Sequence, residues 1–299
     1  MKRKTRRQFP IKGILFIILL IGITLVWKNV SAPTEISEAG QQESVNQPAL
    51  KAMLVSDFTG ATIPINITEI ADTRCLELIN RNHAIGSEPE NDLLISAWPS
   101  VPVRTTEITL HKTALDAVGE MFAAASEVEV GSFFVSSGYR DFARQEQIYS
   151  DETDKSYVQP PGHSEHQAGL AADILVLDVP QSKMGRSREG RWLAENAWEY
   201  GLILRYPQDK QNVTGISYEP WHFRYVGQPH AWYCSQNNLC FEEYIQFLKD
   251  NGGYRVEYDG KMYYVLYQPP SNGIIYVPES QDYNISNDNT GGYIVTAWE

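Results

Sequence analysis

Two separate segments of the chain carry the residue types that a metal-dependent hydrolase uses. The first contains His166 and Asp173, and the second is the tetrapeptide Glu219-Pro220-Trp221-His222. Two imidazoles and one carboxylate can hold a catalytic zinc ion whose fourth position stays open to water, and a further carboxylate beside it can move protons. Together the two segments predict a catalytic zinc site.

The surroundings of His166 and Asp173 favour a rigid site. Residues 160–162 predict a loop, and the small residues 169–172 allow backbone and metal to approach closely. Residues 174–177 predict a buried strand that would hold Asp173 in place. A spacing of seven puts the two side chains on opposite faces of a strand, so the chain must bend between them.

The tetrapeptide is weaker evidence when taken alone. Pro220 fixes the backbone and favours an extended Glu219, so that Glu219 and His222 could converge around the turn. The alternative is an exposed Glu219 before a turn, with Trp221 in the core. Three of the remaining histidines are expected to be structural: His83, His111 and His230. We leave His163 unassigned.

Helices and strands of an α+β domain are predicted around these motifs. Apolar spacing and capping residues predict helices at 111–128, 142–150 after Asp141, 189–200 before Gly201, and 241–250. Apolar runs predict strands at 133–135, 174–177, 202–206 and 222–226. A hairpin at 254–267 with an Asp259-Gly260 turn, followed by strands at 274–277 and 293–298, predicts a small all-β C-terminal part.

The N-terminus predicts a membrane protein. Basic residues precede an apolar run, and residues 11–30 would form ~30 Å of helix, the thickness of a hydrocarbon core. A cleaved signal ending near residues 30–32 is the alternative. We therefore predict a single-pass cell-membrane protein with a cytoplasmic N-terminus, divided as 1–12 basic segment, 13–28 anchor, 29–72 stalk, 73–252 catalytic domain and 253–299 β domain.

The net charge narrows the class of partner. The 267 residues after position 32 carry 18 basic and 37 acidic side chains, a formal net charge of −19. Such a surface argues against nucleic acid as a partner.

Cys234 and Cys240 are close enough in sequence for a local disulfide, and two unpaired thiols are the equal alternative.

The motifs resemble a known class of enzymes. Ser164-Glu-His166-Gln-Ala-Gly169-Leu-Ala171-Ala-Asp173 with Glu219-Pro-Trp-His222 is similar to the zinc D-alanyl-D-alanine peptidases of the M15 class. Ser137-Gly-Tyr-Arg140, Asn196-Ala-Trp, Leu204-Arg-Tyr-Pro207 and residues 219–227 resemble the VanY-type D,D-carboxypeptidases in particular. The resemblance runs from about Leu76 to Lys249 and implies a small antiparallel sheet with flanking helices, as in the M15/hedgehog-like fold.

The resemblance also implies roles. His166, Asp173 and His222 would bind one zinc ion, and Glu219 would be the general base. Zinc lowers the pKa of bound water toward ~7, so a neighbouring carboxylate can take a proton near neutral pH and return it to the leaving amine. Ligands without a thiolate suit a catalytic zinc better than a structural one.

Three further residues match substrate-contacting positions of the class. Arg140 is assigned to the carbonyl oxygen that becomes the oxyanion, with the terminal carboxylate as the alternative. Gln145 and Ser164 match positions that contact the terminal D-Ala. For Gln145, a solvated helix residue is the alternative.

The function implied is a membrane-anchored zinc D,D-carboxypeptidase. It would remove the terminal D-Ala from peptidoglycan pentapeptide precursors and so contribute to resistance against vancomycin-type glycopeptides. The alternatives are a D,D-dipeptidase acting on free D-Ala-D-Ala, against which export argues, and a non-catalytic zinc-containing peptidoglycan-binding module. A wall-surface scaffold built on the β part is a further possibility.

Overall fold

The computed structural model describes residues 60–71 and 73–299. The fold class is α+β, as predicted. The α-helices of the described residues are α1 Lys112–Glu127, α2 Phe142–Asp151, α3 Arg188–Asn196, α4 Gln211–Thr214, α5 His230–Gln236 and α6 Phe241–Asn251. The strands are β1 Thr62–Asn66, β2 Leu94–Ser96, β3 Thr109–His111, β4 Phe133–Ser137, β5 Ala171–Val176, β6 Leu202–Leu204, β7 His222–Tyr225, β8 Gly253–Tyr258, β9 Lys261–Gln268, β10 Ile274–Pro278, β11 Asp282–Asn287 and β12 Tyr293–Trp298.

A four-stranded antiparallel sheet in the order β4-β5-β7-β6 carries one predicted ligand from each sequence motif, Asp173 and His222. Its register pairs Asp173 of β5 with Ser137 of β4 on one side and with His222 of β7 on the other. Directly opposed residues of neighbouring strands project from the same face of a sheet. The pairing therefore brings together two side chains that are far apart in sequence.

Helix α1 packs apolar residues against this sheet. α1 begins after His111, whose side chain accepts a hydrogen bond from the Thr113 amide, and it lies within one residue of the predicted bounds. Five of its buried residues join the core of β4 and β5: Leu115, Ala117, Val118, Met121 and Ala125. Asp141 caps α2 by accepting from the Arg144 amide, as its position predicts.

The bend required between His166 and Asp173 is present. A 3-10 helix, Glu165–Ala168, ends at Gly169, which has a φ of +70°. A Cβ at Gly169 would lie 2.8 Å from Leu94 Cδ2 and 3.1 Å from the His111 nitrogen. Glycine is required here both for the left-handed backbone and for the close approach of the β2–β3 pair.

A second antiparallel sheet, in the order β11-β12-β9-β8, forms the C-terminal part. Asp259 and Gly260 both have positive φ, at 49° and 71°, as a type I′ hairpin turn requires. Tyr244 and Leu248 of α6 share one buried cluster with residues of this sheet. The predicted boundary at 252/253 therefore falls between two segments that share a core.

Part of the predicted stalk is a strand. β1, at Thr62–Asn66, pairs antiparallel with β10, and Ile65 packs on the core of the C-terminal strands. Its partner lies more than 200 residues away, so local composition did not predict the pairing. The predicted stalk up to residue 59 lies outside the described residues.

The predicted localisation needs correction. Within residues 60–71 and 73–299, every helix is too short or too polar to cross a bilayer. This finding contradicts the prediction of a single-pass cell-membrane protein held by an N-terminal anchor. The basic segment and the anchor predicted at 13–28 lie outside the described residues.

Cys234 and Cys240 are free thiols, and both are buried. Cys240 is the N-cap of α6, where its amide donates to Glu243 Oε2 at 3.0 Å. Burial raises the pKa of the Cys240 thiol to about 12. Of the two alternatives for this pair, the structure has the unpaired thiols.

Candidate active site

Three side chains converge at the face of the central sheet. One ligand atom from each of His166, Asp173 and His222 lies within 4.8 Å of the other two. Asp173 Oδ1 is 3.4 Å from His166 Nε2 and 3.2 Å from His222 Nδ1. The predicted cluster is therefore assembled from the 3-10 helix, β5 and β7.

The two histidines present different nitrogens to the centre of the cluster. His166 Nδ1 lies 2.6 Å from the Gly138 carbonyl oxygen, which leaves Nε2 facing Asp173. His222 has the opposite orientation, with Nδ1 facing Asp173 and Nε2 directed at Glu165 Oε2, 3.5 Å away. In each ring one nitrogen is thus available to a metal and the other faces an oxygen acceptor.

The cluster fits zinc in donor type and in electrostatics. Asp173 Oδ1 is buried and has no hydrogen-bond partner among the described residues, although it faces both imidazoles. Burial and Arg140 lower the pKa of His166 to about 4, so this imidazole keeps its lone pair at neutral pH. Burial opposes a charge on His222, but the facing carboxylates of Asp173 and Glu165 raise its pKa to about 9, so the cluster favours a positive charge at this place. Nitrogen and carboxylate donors with no thiolate are the ligands of catalytic zinc.

Glu219 lies beside the three ligands. Its amide donates to the Tyr206 carbonyl at 3.1 Å, and its own carbonyl accepts from the His222 amide at 3.2 Å, which closes the turn around Pro220. Its Oε2 is 3.7 Å from His222 Nδ1. The side chain is buried, contrary to the exposed alternative, and burial raises its pKa to about 8. A carboxyl with such a pKa can both take and release a proton near neutral pH.

Arg140 joins the metal cluster to the substrate-contacting positions. Its Nη2 is 2.7 Å from Asp173 Oδ2, and its Nε donates to Ser137 Oγ at 2.9 Å. Its Nη1 donates to Gln145 Oε1 at 3.4 Å. The planar guanidinium is therefore held on three sides and borders the cavity.

Gln145 and Ser164 are both buried at the edge of the same cavity. Gln145 is 1% exposed and its Nε2 donates to the Gln159 carbonyl at 2.7 Å, so the solvated alternative does not hold. Ser164 precedes the 3-10 helix without capping it through its side chain, which leaves the hydroxyl for other partners. The cavity has a volume of about 310 Å³, and its walls include all seven predicted site residues.

Sequence reasoning missed a buried charged group behind the metal cluster. Glu165 Oε1 is 2.8 Å from Arg205 Nε and 3.1 Å from Arg224 Nη1, and all three side chains are fully buried. Arg205 in turn makes two hydrogen bonds to Glu242, at 2.8 and 2.6 Å. The signal was available, since Arg205 and Arg224 interrupt two otherwise apolar strand runs.

The three histidines expected to be structural have ordinary partners outside the cluster. These are His83 with Asn80 Oδ1, His111 with Thr113 Oγ1, and His230 with the hydroxyls of Tyr244 and Thr296. None of them lines the cavity described above. Their assignment as structural side chains agrees with this geometry.

A His-Asp-His cluster that shares one cavity with an arginine and with a carboxyl of raised pKa defines a metallohydrolase site.

Comparison with known proteins narrows the class of enzyme. The family model described as VanY, D-alanyl-D-alanine carboxypeptidase, matches residues 107–228. The D-alanyl-D-alanine carboxypeptidase of Enterococcus faecium is 42% identical over 194 residues, 64% of this chain and 63% of that enzyme. This chain thus matches less than two thirds of that enzyme's length.

A second relative is matched over nearly its whole length. The bifunctional D-Ala-D-Ala dipeptidase and D-Ala-D-Ala carboxypeptidase VanXYC of Enterococcus gallinarum is 35% identical over 58% of this chain and 94% of that protein. The chain belongs to the VanY family of D-alanyl-D-alanine carboxypeptidases. These are zinc metallopeptidases, so the predicted family and cofactor are confirmed.

Solved structures agree with the fold. The vancomycin resistance D,D-dipeptidase VanXYg, determined with a D-Ala-D-Ala phosphinate analogue, has a TM-score of 0.67 at 32% identity and covers 80% of this chain and 99% of its own. The LD-carboxypeptidase LdcB has a TM-score of 0.53 at 36% identity and covers 57% of this chain and 86% of its own. The roles of the individual site residues remain predictions.

Proposed function

We propose that this protein is a zinc D,D-carboxypeptidase that hydrolyses the terminal D-Ala from peptidoglycan pentapeptide precursors, and that it thereby contributes to glycopeptide resistance. One observation carries the proposal. The cavity that contains the His166-Asp173-His222 cluster also contains a buried carboxyl, Glu219, and a guanidinium, Arg140. A module that only bound peptidoglycan would need neither a base nor an oxyanion donor.

The residues divide the chemistry between them. His166, Asp173 and His222 would hold zinc, which when bound supplies Lewis acidity and makes water a stronger acid. Glu219 takes a proton from the attacking water as the water oxygen bonds to the scissile carbonyl carbon. Glu219 then gives this proton to the amine of the departing D-Ala as the C–N bond breaks, so that protons balance over the cycle.

Arg140 would stabilise charge on the substrate. Its guanidinium lies at the cavity wall and is held by Asp173, Ser137 and Gln145, so that it is oriented before substrate arrives. We assign it to the carbonyl oxygen that gains negative charge in the transition state. The terminal carboxylate of the substrate is the alternative partner, and Gln145 and Ser164 are assigned to the terminal D-Ala.

The two adjoining cavities favour a long peptide over a free dipeptide as the substrate. The catalytic cavity shares Tyr157, Gln181 and Trp221 with a second cavity of about 610 Å³. This second cavity gives room for the peptide on the amino side of the scissile bond. A dipeptide has no such extension, so the additional space favours carboxypeptidase activity.

Two other peptidase specificities have support among the relatives. The names of the E. gallinarum protein and of VanXYg include dipeptidase activity, and LdcB is an LD-carboxypeptidase. Each of these predicts a different substrate for the same cluster. D-Ala-D-Ala would be the substrate of a dipeptidase, and a tetrapeptide ending in a single D-Ala that of an LD-carboxypeptidase.

The experiment compares these substrates on one enzyme preparation. The zinc-loaded protein is incubated with UDP-MurNAc-pentapeptide, with the corresponding tetrapeptide and with D-Ala-D-Ala, with and without a chelator, and free D-Ala is measured. We expect release from the pentapeptide, at a kcat/KM well above that for the other two, and loss of release with the chelator. Preferred cleavage of the dipeptide or the tetrapeptide would reassign the substrate, and zinc binding without any turnover would favour the binding module.

A further inference from the structure

We propose that Glu165 is a positioning residue for the metal site: its carboxylate accepts a hydrogen from His222 Nε2 and so keeps His222 Nδ1 unprotonated and directed at the metal. The proposal rests on the zinc site of the proposed function. It assigns a role to a residue of the first motif that lies between Ser164 and His166 and does not line the catalytic cavity.

Two buried atoms face each other without another partner. Glu165 Oε2 and His222 Nε2 are 3.5 Å apart, and within the described part of the chain neither atom has any other hydrogen-bond partner. Leaving both unpaired in the interior would destabilise the fold, whereas pairing satisfies both. The pairing requires the proton on Nε2, because a carboxylate can only accept.

The position of Glu165 is fixed from behind by two guanidinium groups. Its other oxygen, Oε1, lies 2.8 Å from Arg205 Nε and 3.1 Å from Arg224 Nη1, and Arg205 is held in turn by both oxygens of Glu242. Arg224 is anchored separately through the Cys75 and Glu77 carbonyls. These contacts leave Oε2 facing His222.

The other histidine ligand shows why this contact matters. His166 Nδ1 lies 2.6 Å from the Gly138 carbonyl, a backbone oxygen that also allows only a protonated Nδ1. Both rings are thus fixed through the nitrogen that does not face Asp173. Loss of such a partner of a zinc ligand typically weakens metal binding 10- to 100-fold.

The variant Glu165→Gln separates this role from simple space filling. The amide has nearly the same shape, but only its oxygen can face the two arginines. Its NH₂ group would then face His222 Nε2, which favours the tautomer with the proton on Nδ1 and removes the ligand lone pair. We expect the zinc affinity of Glu165→Gln to fall 10- to 100-fold.

Zinc affinity is measured on the full chain by competition with a chromophoric chelator. The matched control is Glu77→Gln, because Glu77 is also buried and paired with an arginine, Arg74 at 2.6 Å, but its side chain makes no contact with the metal cluster. The control should bind zinc within about twofold of the wild type. A Glu165→Gln protein that keeps its zinc affinity at the level of Glu77→Gln would overturn the proposal.

A second measurement uses the wild-type chain and so does not depend on the variant folding. Nitrogen NMR of the zinc-loaded protein should show His222 bound through Nδ1, with a slowly exchanging proton on Nε2. A His222 bound through Nε2, or an Nε2 proton that exchanges as fast as in an exposed histidine, would contradict the proposal. Neither measurement uses a peptide substrate, so a failure of the proposed carboxypeptidase activity would leave both results interpretable.

Discussion

Arg140 and Asp173 form an ion pair in which Nη2 and Oδ2 are 2.7 Å apart, while the other oxygen of Asp173 faces both histidine ligands. One carboxylate thus links the residue assigned to the substrate with the metal cluster. The guanidinium is also held by Ser137 and Gln145, so that its position depends on three neighbours. Changes at Arg140 should therefore affect both catalysis and metal binding.

For Arg140→Lys we expect kcat/KM for the pentapeptide to fall about 100-fold, the effect of losing an oxyanion donor worth ~3 kcal/mol. A lysine keeps the charge but not the planar set of donors that contacts Asp173 and the substrate together. D-Ala release measures the effect. The control is Arg144→Lys, an exposed residue of α2 that contacts Gln147. An Arg140→Lys enzyme with more than half of the wild-type kcat/KM would refute the assignment.

Gly138→Ala tests the support of His166. A Cβ at this position would lie 2.3 Å from the Thr109 carbonyl oxygen, so the backbone must shift, and the Gly138 carbonyl that faces His166 Nδ1 would shift with it. We expect a loss of about 1–3 kcal/mol in the free energy of unfolding and weaker zinc binding. Gly131→Ala is the control, because its added Cβ would meet no atom within 4 Å. Equal stability and zinc affinity in the two variants would show that this carbonyl is not needed.

His230 should make the stability of the fold depend on pH. It is buried between the Tyr244 and Thr296 hydroxyls, and burial lowers its pKa to about 3 from a usual 6.5. The unfolded chain therefore binds a proton below pH 6.5 that the folded chain does not, and stability falls as pH drops from about 6.5 toward 3. Between pH 7.5 and 5.0 the wild type should lose about 2 kcal/mol more than His230→Gln.

Urea unfolding with a chelator present at both pH values measures this difference, since zinc release then does not contribute. A His230→Gln variant whose unfolding free energy changes with pH as much as that of the wild type would show that His230 is not the group responsible.

Inhibitors should distinguish the metal site from a serine nucleophile. A chelator should abolish D-Ala release and added Zn²⁺ should restore it, because the three ligands are the only described cluster of this kind. Benzylpenicillin should leave the rate unchanged, since no serine acts as nucleophile in the proposed chemistry. Inhibition by penicillin at concentrations that acylate serine enzymes would point to a different mechanism.

Local patterns in the sequence predicted several features of the fold around this site. Asp141 and Gly201 mark helix ends where the structure has them, and Asp259-Gly260 forms the predicted hairpin turn. The requirement for a bend between His166 and Asp173 is met by a single residue, Gly169. Each of these features depends on residues close in sequence, whose conformational preferences act without the rest of the fold.

Features that depend on distant contacts were not predictable in the same way. β1 pairs with β10, more than 200 residues away, and the Glu165 carboxylate is held by Arg205, just after β6, and by Arg224 of β7. In the sequence alone, Glu165 cannot be told from a solvated glutamate, because its arginine partners become neighbours only in the folded chain. The register that sets Asp173 opposite His222 likewise exists only in the folded sheet.

The proton-transfer role of Glu219 is the central claim, and Glu219→Gln tests it most directly. D-Ala release from UDP-MurNAc-pentapeptide is measured for the wild type and for Glu219→Gln, each with its zinc content determined on the same sample. We predict that the variant keeps one zinc per chain while kcat falls at least 100-fold, the usual loss for a general acid–base. A zinc-loaded Glu219→Gln enzyme that releases D-Ala at the wild-type rate would contradict the account.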